Sequence, residues 1–383
     1  MRQLLLLCLI GMQFLQAQRL SPNATISILT VGPGLSLNDA FGHSGFRVSD
    51  PAQGIDIVYG YGAYDFNTPN FYLKFAQGKL NYNMSQDDFK KFYGAYVYFN
   101  RSVREQILNL TQSEKESLYT SLLENYKPKN RAYLYDFFYD NCATKIRDVI
   151  NVNLSNNLVF NIPNTYETST FRTLIQNNLN TNSWGSLGID IALGSVIDKI
   201  ASPNEHMFLP KNIHLFFSEA TKPSGAPLVQ NSKVLYKKNT ALVAPSFFLS
   251  PLFVLLCLSL IIIWITYEDH KKNRRSRWLD TLLFFMTGSI GLLLILLWFA
   301  TDHEATANNY NLLWAFVFNL IALRQTRKIK PKRWFCRYLR FLLILLSLLT
   351  LHWIVGVQVF AITLLPLLIA LAIRYIYLIY HFK

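Results

Sequence analysis

Residues 135–147 read Tyr-Asp-Phe-Phe-Tyr-Asp-Asn-Cys-Ala-Thr-Lys-Ile-Arg. Asp140 and Asn141 favour a turn and the residues that follow favour a helix, so the pattern predicts a helix that begins at Cys142. Unpaired backbone N–H groups and the helix dipole at such a position stabilise a thiolate and lower the thiol pKa. The N–H groups at Asn141 and Cys142 could also hold an oxyanion. Cys142 is therefore a candidate nucleophile, with a small buried packing residue as the alternative.

The distribution of apolar residues predicts three parts of the chain. Residues 1–17 combine Arg2, an apolar run and the small residue Ala17, which is typical of a secretory signal peptide; an uncleaved membrane anchor is the alternative. Residues 18–245 are then expected to form an exported periplasmic domain. Residues 246–383 hold most of the long apolar runs and are expected to form a membrane domain.

Cysteine usage supports a reactive role for Cys142. It is the sole cysteine between residues 18 and 245, whereas Cys257 and Cys336 lie in or beside apolar runs. Exported proteins usually carry their cysteines in disulfide pairs. A single exported thiol therefore indicates reactivity or an intermolecular bond.

The membrane domain is predicted to contain five transmembrane helices with the C-terminus in the cytoplasm. The apolar segments are residues 247–267, 279–300, 308–323, 341–354 and 358–379. The third and fourth are short for a bilayer-spanning helix. Loops 268–278 and 324–340 carry five and eight Lys or Arg residues, and 301–311 carries none. Five spans place both basic loops in the cytoplasm, as the positive-inside rule requires.

The net charge of +14 does not indicate nucleic-acid binding. Residues 18–245 contain 21 Lys or Arg and 18 Asp or Glu, so the excess lies mainly in the two basic membrane loops. Membrane topology explains it better. The chain also shows no metal-ligand cluster and no phosphate-binding glycine loop, so no metal and no cofactor is expected.

The exported part is predicted to be an α+β domain. Alternating apolar residues indicate strands over residues 24–31, 44–49, 55–62, 79–84 and 228–236. Helices are predicted over residues 85–100 and 111–127, the second from a capping box that begins at Thr111. These strands would form a small, mostly antiparallel sheet.

A thiol nucleophile needs a general base, and histidine titrates in the right range. The exported part contains His43, His206 and His214. His43 is favoured because its neighbours, Gly42 and Ser44, are small and leave room for a substrate. The other two fit ordinary packing or exposure.

A third group usually orients the imidazole of such a pair. Asp56, Tyr61 and Asp65, on or just after the strand that follows His43, are the candidates. The sequence does not choose among them.

Five motifs carry a resemblance to a known family. They are residues 40–47 (Ala-Phe-Gly-His-Ser-Gly-Phe-Arg), 64–72, 100–103 (Asn-Arg-Ser-Val), 135–144 and 207–210 (Met-Phe-Leu-Pro). Together with the C-terminal spans they resemble the Lnb family of bacterial lipoprotein N-acyltransferases. The resemblance implies a circularly permuted papain-like domain, similar to the lecithin:retinol acyltransferase superfamily, with His43 as base and Cys142 as nucleophile. It does not fix the third catalytic group.

The resemblance implies a two-step acyl transfer at the periplasmic face of the inner membrane. Cys142 would take an acyl chain from a membrane phospholipid as a thioester. The free α-amine of a diacylated lipoprotein's N-terminal cysteine would then accept that chain. The expected partners are thus diacylated lipoproteins, membrane phospholipid and the inner membrane, with no nucleic acid.

Two other classes of function remain open. A membrane-anchored cysteine hydrolase acting on peptidoglycan peptides or lipid esters would use the same residues and release a free acid or a cleaved peptide. A nonenzymatic membrane assembly factor would need Cys142 only for packing.

Overall fold

The computed structural model describes residues 19–155, 157–239 and 247–382, which form two compact units. The sheet unit comprises the described residues up to 66 together with 81–166 and 203–239. The helical unit comprises 67–80, 167–202 and the described residues from 247 onwards. The predicted signal peptide, residues 1–17, and the predicted boundary at 245/246 lie outside the described residues.

The sheet unit contains an antiparallel sheet with the strand order β6-β4-β3-β2-β1-β5-β7. The strands are β1 (Thr25–Val31), β2 (His43–Asp50), β3 (Ile55–Ala63), β4 (Asn81–Asp88), β5 (Val103–Leu108), β6 (Ala132–Leu134) and β7 (Val229–Tyr236). The predicted sheet is confirmed. The helix predicted from residue 85 begins instead at Phe89, because β4 continues to Asp88, whose side chain caps that helix by accepting from the Lys91 N–H.

The helices follow in chain order. They are α1 (Phe71–Gln77), α2 (Phe89–Tyr98), α3 (Gln112–Tyr126), α4 (Cys142–Asn153), α5 (Phe171–Gln176), α6 (Trp184–Ala192), α7 (Pro203–His206), α8 (Pro210–Glu219), α9 (Pro251–Lys271), α10 (Arg277–Phe299), α11 (Asn319–Thr326), α12 (Arg333–Val355) and α13 (Leu365–His381). Of these, α2, α3, α4, α7 and α8 belong to the sheet unit.

The strand register gathers seven strand ends at one end of the sheet. Val31 lies opposite both His43 and Val103. The residues at this end are Val31, His43, Ala63, Asn81, Val103, Leu134 and Tyr236. We call it the His43 end of the sheet.

The two faces of the sheet are covered by different helices. Ile26 and Phe46 pack with Ile146 of α4 in the larger core. On the opposite face, Val58 packs with Phe92 of α2. Because side chains alternate along a strand, these two helices lie on opposite faces of the central strands.

The helical unit has four described helices long and apolar enough to cross a membrane. They are α9, α10, α12 and the helix from Ile362 to His381 that includes α13. The predicted third span, residues 308–323, instead contains a 3₁₀ turn, Tyr310–Leu313, and then the start of the short helix α11. The five-helix prediction is therefore not confirmed.

The broken third segment nevertheless follows α10 along most of its length. Thr306 donates to the Leu297 carbonyl near one end of α10, and Thr326 bonds to Thr281 near the other end. Between them, the backbone at Ala315 meets Gly291, where a Cβ would collide with it.

Asparagine side chains anchor this segment to neighbouring elements. Asn311 donates to the Asp190 carbonyl at 3.0 Å and accepts from Trp314 Nε1 at 2.9 Å. Asn319 donates to Thr287 Oγ1 at 2.8 Å. Irregular backbone is tolerated at membrane depth only where protein groups satisfy it, as Gln358 does here by accepting from the Tyr310 N–H at 2.8 Å.

A buried ion cluster joins α9, α10 and α13 beside the first basic loop. Arg374 contacts Asp269 at 2.9 Å and Asp280 at 2.7 Å, and all three side chains are inaccessible to solvent. Arg275 pairs with the second oxygen of Asp280 at 2.7 Å and donates to the Lys328 carbonyl in the second basic loop. The two basic loops therefore meet at one end of the helical unit.

Candidate active site

Cys142 is the first residue of α4, as predicted. Oδ1 of Asn141 accepts from the backbone N–H groups of Ala143 and Thr144 at 2.8 and 3.0 Å, and Thr144 Oγ1 accepts from the Asn141 N–H. This reciprocal capping box fixes where the helix begins.

The side-chain amide nitrogen of Asn141 connects this cap to two other segments of the chain. It donates to the Phe137 carbonyl at 2.7 Å and to the Phe208 carbonyl, in the predicted 207–210 motif, at 2.8 Å. All four hydrogen-bonding positions of this buried side chain are thus used. Asn141 is a positioning residue for the cysteine that follows it.

The Cys142 thiol is buried, and burial raises its pKa to about 11. The backbone N–H groups of Ser44, Cys142 and Ala143 and the charge of Arg101 oppose this rise by stabilising the thiolate. The predicted lowering of the pKa is therefore wrong, because desolvation of the charged form outweighs the helix N-terminus. The thiol needs a base to remove its proton.

His43 is the first residue of β2. The N–H of Ser44, the residue after it, points to the sulfur of Cys142. The imidazole stacks on Tyr96 with ring centroids 6.5 Å apart, and its Nε2 lies 3.2 Å from where a Cβ on Gly60 would stand. A side chain at position 60 would therefore crowd this nitrogen.

The His43 imidazole is neutral at neutral pH. Burial and the charge of Arg101 lower its pKa to about 4, and the charge of Asp39 partly opposes them. A neutral imidazole can accept a proton, so the pair is poised as neutral base and neutral thiol rather than as an ion pair. Among the described residues, no hydrogen bond joins His43 to Cys142.

The three candidates for the third group lie in different places. Asp56 forms a bidentate pair with Arg47, at 2.7 and 2.9 Å, toward the far end of β3. The Tyr61 hydroxyl accepts from Asn125 at 3.2 Å, and burial raises the pKa of Tyr61 to about 12. Asp65 lies exposed in the turn after β3. Asp56 and Tyr61 are thus engaged away from the imidazole.

Sequence reasoning missed Asp39 and Arg101, whose charges act on the imidazole. Arg101 is buried, donates to Asp39 at 2.7 Å and to the Gly32 carbonyl at 3.0 Å, and lies over the Tyr96 ring. Its Nη2 is buried without a hydrogen-bond partner among the described atoms. Arg101 lies in the 100–103 motif and Asp39 directly precedes the 40–47 motif, but no local pattern assigned either a role.

The other two histidines lie on other elements, α7 and α8. His206 is buried with its ring 4.8 Å from that of Tyr166. Burial and the charge of Arg104 lower the pKa of His214 to about 4.

Tyrosines surround the sulfur on the side of β6. The Cys142 thiolate contributes to raising the pKa of both Tyr133 and Tyr135. Tyr135 stacks on Tyr82 at 4.5 Å and lies against the backbone of Gly62. These phenols stay neutral and keep the site apolar.

This fold and site define a protein with a sheet-rich unit that carries a buried thiol, joined to a unit whose long helices are apolar enough to cross a membrane. Residues 13–177 match the family model described as the Lnb N-terminal periplasmic domain, and residues 243–383 match the Lnb transmembrane domain. The chain is thus an Lnb-type protein with both parts of that architecture. No curated protein and no solved structure matches it.

Proposed function

We propose that the protein moves an acyl chain from a membrane phospholipid to the α-amine of the N-terminal cysteine of a diacylated lipoprotein. The observation that carries this proposal is the placement of Cys142: a capped helix start, the Ser44 N–H on its sulfur and the neutral His43 one residue before Ser44. Membership of the Lnb type supports lipoprotein modification as the task.

In the first step His43 removes the thiol proton while the sulfur attacks an ester carbonyl of the phospholipid. The N–H groups of Ser44 and Cys142, which favour negative charge on the sulfur, are suited to stabilise the oxyanion as well. The Asn141 N–H, which was expected in this role, instead donates to Thr144 Oγ1. The C–O bond breaks, and His43 returns the proton to the leaving lysophospholipid. A thioester on Cys142 remains.

In the second step the lipoprotein amine attacks the thioester carbonyl and loses a proton to His43. The C–S bond breaks, the thiol is restored and an amide forms. The buried, tyrosine-rich surroundings of Cys142 favour the amine over water because they limit the access of solvent.

We also propose that Asp39 and Arg101, rather than Asp56, Tyr61 or Asp65, supply the third catalytic element. Arg101 lowers the pKa of both groups, so it keeps His43 neutral and able to accept a proton, and it eases the loss of the proton from Cys142. Both residues act through His43 and Cys142 and are positioning residues.

The proposed topology places the catalytic domain in the periplasm, the helical unit in the inner membrane and the C-terminus in the cytoplasm. The broken segment beside α10 supports a fifth crossing, because it links opposite ends of that helix. The meeting of the two basic loops at one end supports a common cytoplasmic side. The permuted papain-like plan is supported by the order of the His43 strand and the Cys142 helix.

The test is the intact mass of a model lipoprotein from cells that lack this protein and are complemented with variants. Wild type should add one acyl chain to the N-terminal cysteine, and Cys142→Ala, Cys142→Ser and His43→Ala should not. Cys257→Ala and His214→Ala are matched controls that should behave as wild type.

Identical lipoprotein masses in every background would contradict acyl transfer. Free fatty acid or cleaved peptide that depends on Cys142 would then indicate a hydrolase. Full function of Cys142→Ser would indicate an assembly factor.

A further inference from the structure

Large apolar side chains are exposed around the His43 end of the sheet. Leu35 is 92% exposed, Phe66 64% and Phe99 65%. The set, which we call the apolar rim, is Leu35, Leu37, Phe66, Tyr98, Phe99, Leu134 and Tyr139. Exposed apolar clusters of this kind mark surfaces that bind a partner or a membrane.

The register explains why residues distant in sequence form one rim. Leu35 and Leu37 follow the end of β1, Phe66 follows β3, Tyr98 and Phe99 precede β5, and Leu134 ends β6. Tyr139 lies three residues before Cys142. The rim therefore surrounds the end of the sheet at which His43 lies.

The sheet unit exposes apolar residues elsewhere as well. Val152 lies in the last turn of α4, Val159 and Ile162 lie in the loop after it, and Val234 lies on the edge strand β7. Some exposed apolar residues are normal on a protein surface.

Three features favour a lipid surface as the occupant of the rim. The chain leaves β7 at Tyr236, at the His43 end, and the first membrane-spanning helix begins at Pro251. Lys237 and Lys238 follow that strand end directly and match the charge of anionic headgroups. The rim mixes aliphatic residues with Phe and Tyr, the composition of the membrane–water interface.

We propose that the apolar rim inserts into the outer boundary of the lipid bilayer and holds the Cys142 site at the level of the acyl esters. The consequence for acyl transfer rests on the proposed function, whereas the membrane contact does not. The site would then draw its acyl donor directly from the bilayer, without a phospholipid having to enter water.

Depth-dependent quenching tests the contact in the full chain reconstituted in vesicles of phospholipids with brominated acyl chains. Leu35→Trp places a reporter on the rim, and Val152→Trp is the matched control at another exposed apolar position. The bromolipids should quench most of the tryptophan emission that Leu35→Trp adds. They should leave the emission that Val152→Trp adds largely unchanged. Equal, weak quenching of both would overturn the proposal.

A second copy of the chain is the competing occupant. If quenching at residue 35 fell as the protein-to-lipid ratio rose, the rim would be a contact between copies, and the proposal would fail. Quenching that does not depend on this ratio supports the lipid surface.

A functional arm separates this inference from the proposed activity. Leu35→Asp with Phe99→Asp should reduce transfer from bilayer phospholipid about tenfold, since charge is disfavoured at the interface. Alkylation of Cys142 by soluble iodoacetamide should stay at the wild-type rate, which shows that the site is intact, and Val152→Asp should change neither. Unchanged acyl transfer in the double variant would overturn the inference. Absence of acyl transfer in the wild type would contradict the proposed function. The quenching result would then decide the membrane contact by itself.

Discussion

Arg101 and Asp39 form an ion pair with Nη1 and Oδ1 2.7 Å apart, and their charges have opposite effects on His43. The guanidinium lowers the pKa of the imidazole and also lowers that of the Cys142 thiol, while the carboxylate raises the pKa of the imidazole. One pair of residues thus adjusts both members of the candidate catalytic pair.

Replacing Arg101 should move the pH dependence of acyl transfer. Arg101→Gln removes the cation, so the pKa of His43 should rise from about 4 and that of Cys142 should rise above about 11. The acid limb of the rate profile, where His43 becomes protonated, should therefore move to higher pH, and Asp39→Asn should move it to lower pH. Arg104→Gln, an exposed neighbour on β5, is the control. Reduced rates without displaced limbs would show a purely structural role.

Removing the Asn141 side chain should destabilise the sheet unit. Asn141→Ala deletes a cap and leaves the Phe208 carbonyl without its donor, at a cost of about 1–3 kcal/mol. The fall in melting temperature should exceed that of Thr111→Ala, which removes the cap of α3 alone. Equal losses would show that the bond to Phe208 contributes nothing.

Asn141→Asp separates the cap from the charge. The carboxylate keeps the acceptor for the Ala143 and Thr144 N–H groups, but it places a negative charge beside the sulfur. The pKa of Cys142 should rise further, and the midpoint of iodoacetamide alkylation against pH should move upward. A midpoint equal to that of wild type would contradict this account of the thiol.

The close approach of the broken segment to α10 depends on glycine. In Gly291→Val the new Cβ would overlap the Ala315 carbonyl and lie 2.8 Å from the Val317 nitrogen, so one element must move. We expect a loss of about 1–3 kcal/mol, measured as a lower melting temperature in detergent. Gly188→Ala on α6, where a Cβ meets nothing within 4 Å, is the control. A stable Gly291→Val protein would show that this packing is loose.

The buried ion cluster gives a further prediction. Arg374→Met leaves Asp269 and Asp280 short of a partner in a solvent-free interior, which should cost about 3–5 kcal/mol. Lys272→Met breaks only a surface pair with Glu268 and should lower the melting temperature far less. Partial recovery of the melting temperature in Arg374→Met with Asp269→Asn would identify the unpaired charge as the cause; no recovery would point to packing.

Local patterns predicted the features that depend on neighbouring residues. The turn-forming Asp140 and Asn141 correctly placed the start of α4, and alternation correctly placed β1 and β3. The predicted direction of the pKa shift of Cys142 was wrong because burial depends on the tertiary structure. Asp39 and Arg101 were missed because 62 positions separate them and only the fold brings them together.

Hydropathy likewise could not distinguish a helix from the broken third segment. Residues 308–323 are apolar enough to suggest a span, but Asn311 bonds to the backbone at Asp190, 121 positions earlier. A hydropathy average over neighbouring residues cannot detect such distant hydrogen-bond partners.

The bond from Asn141 to the Phe208 carbonyl also bears on biogenesis. Between these two residues the chain leaves the sheet unit at 167 and re-enters it at 203. A nascent chain that has emerged only as far as α4 therefore already carries Cys142 and His43, yet it lacks one of the anchors that fix the nucleophile. This anchor comes from a residue more than sixty positions after Cys142, so it can form only once that later segment has been synthesised.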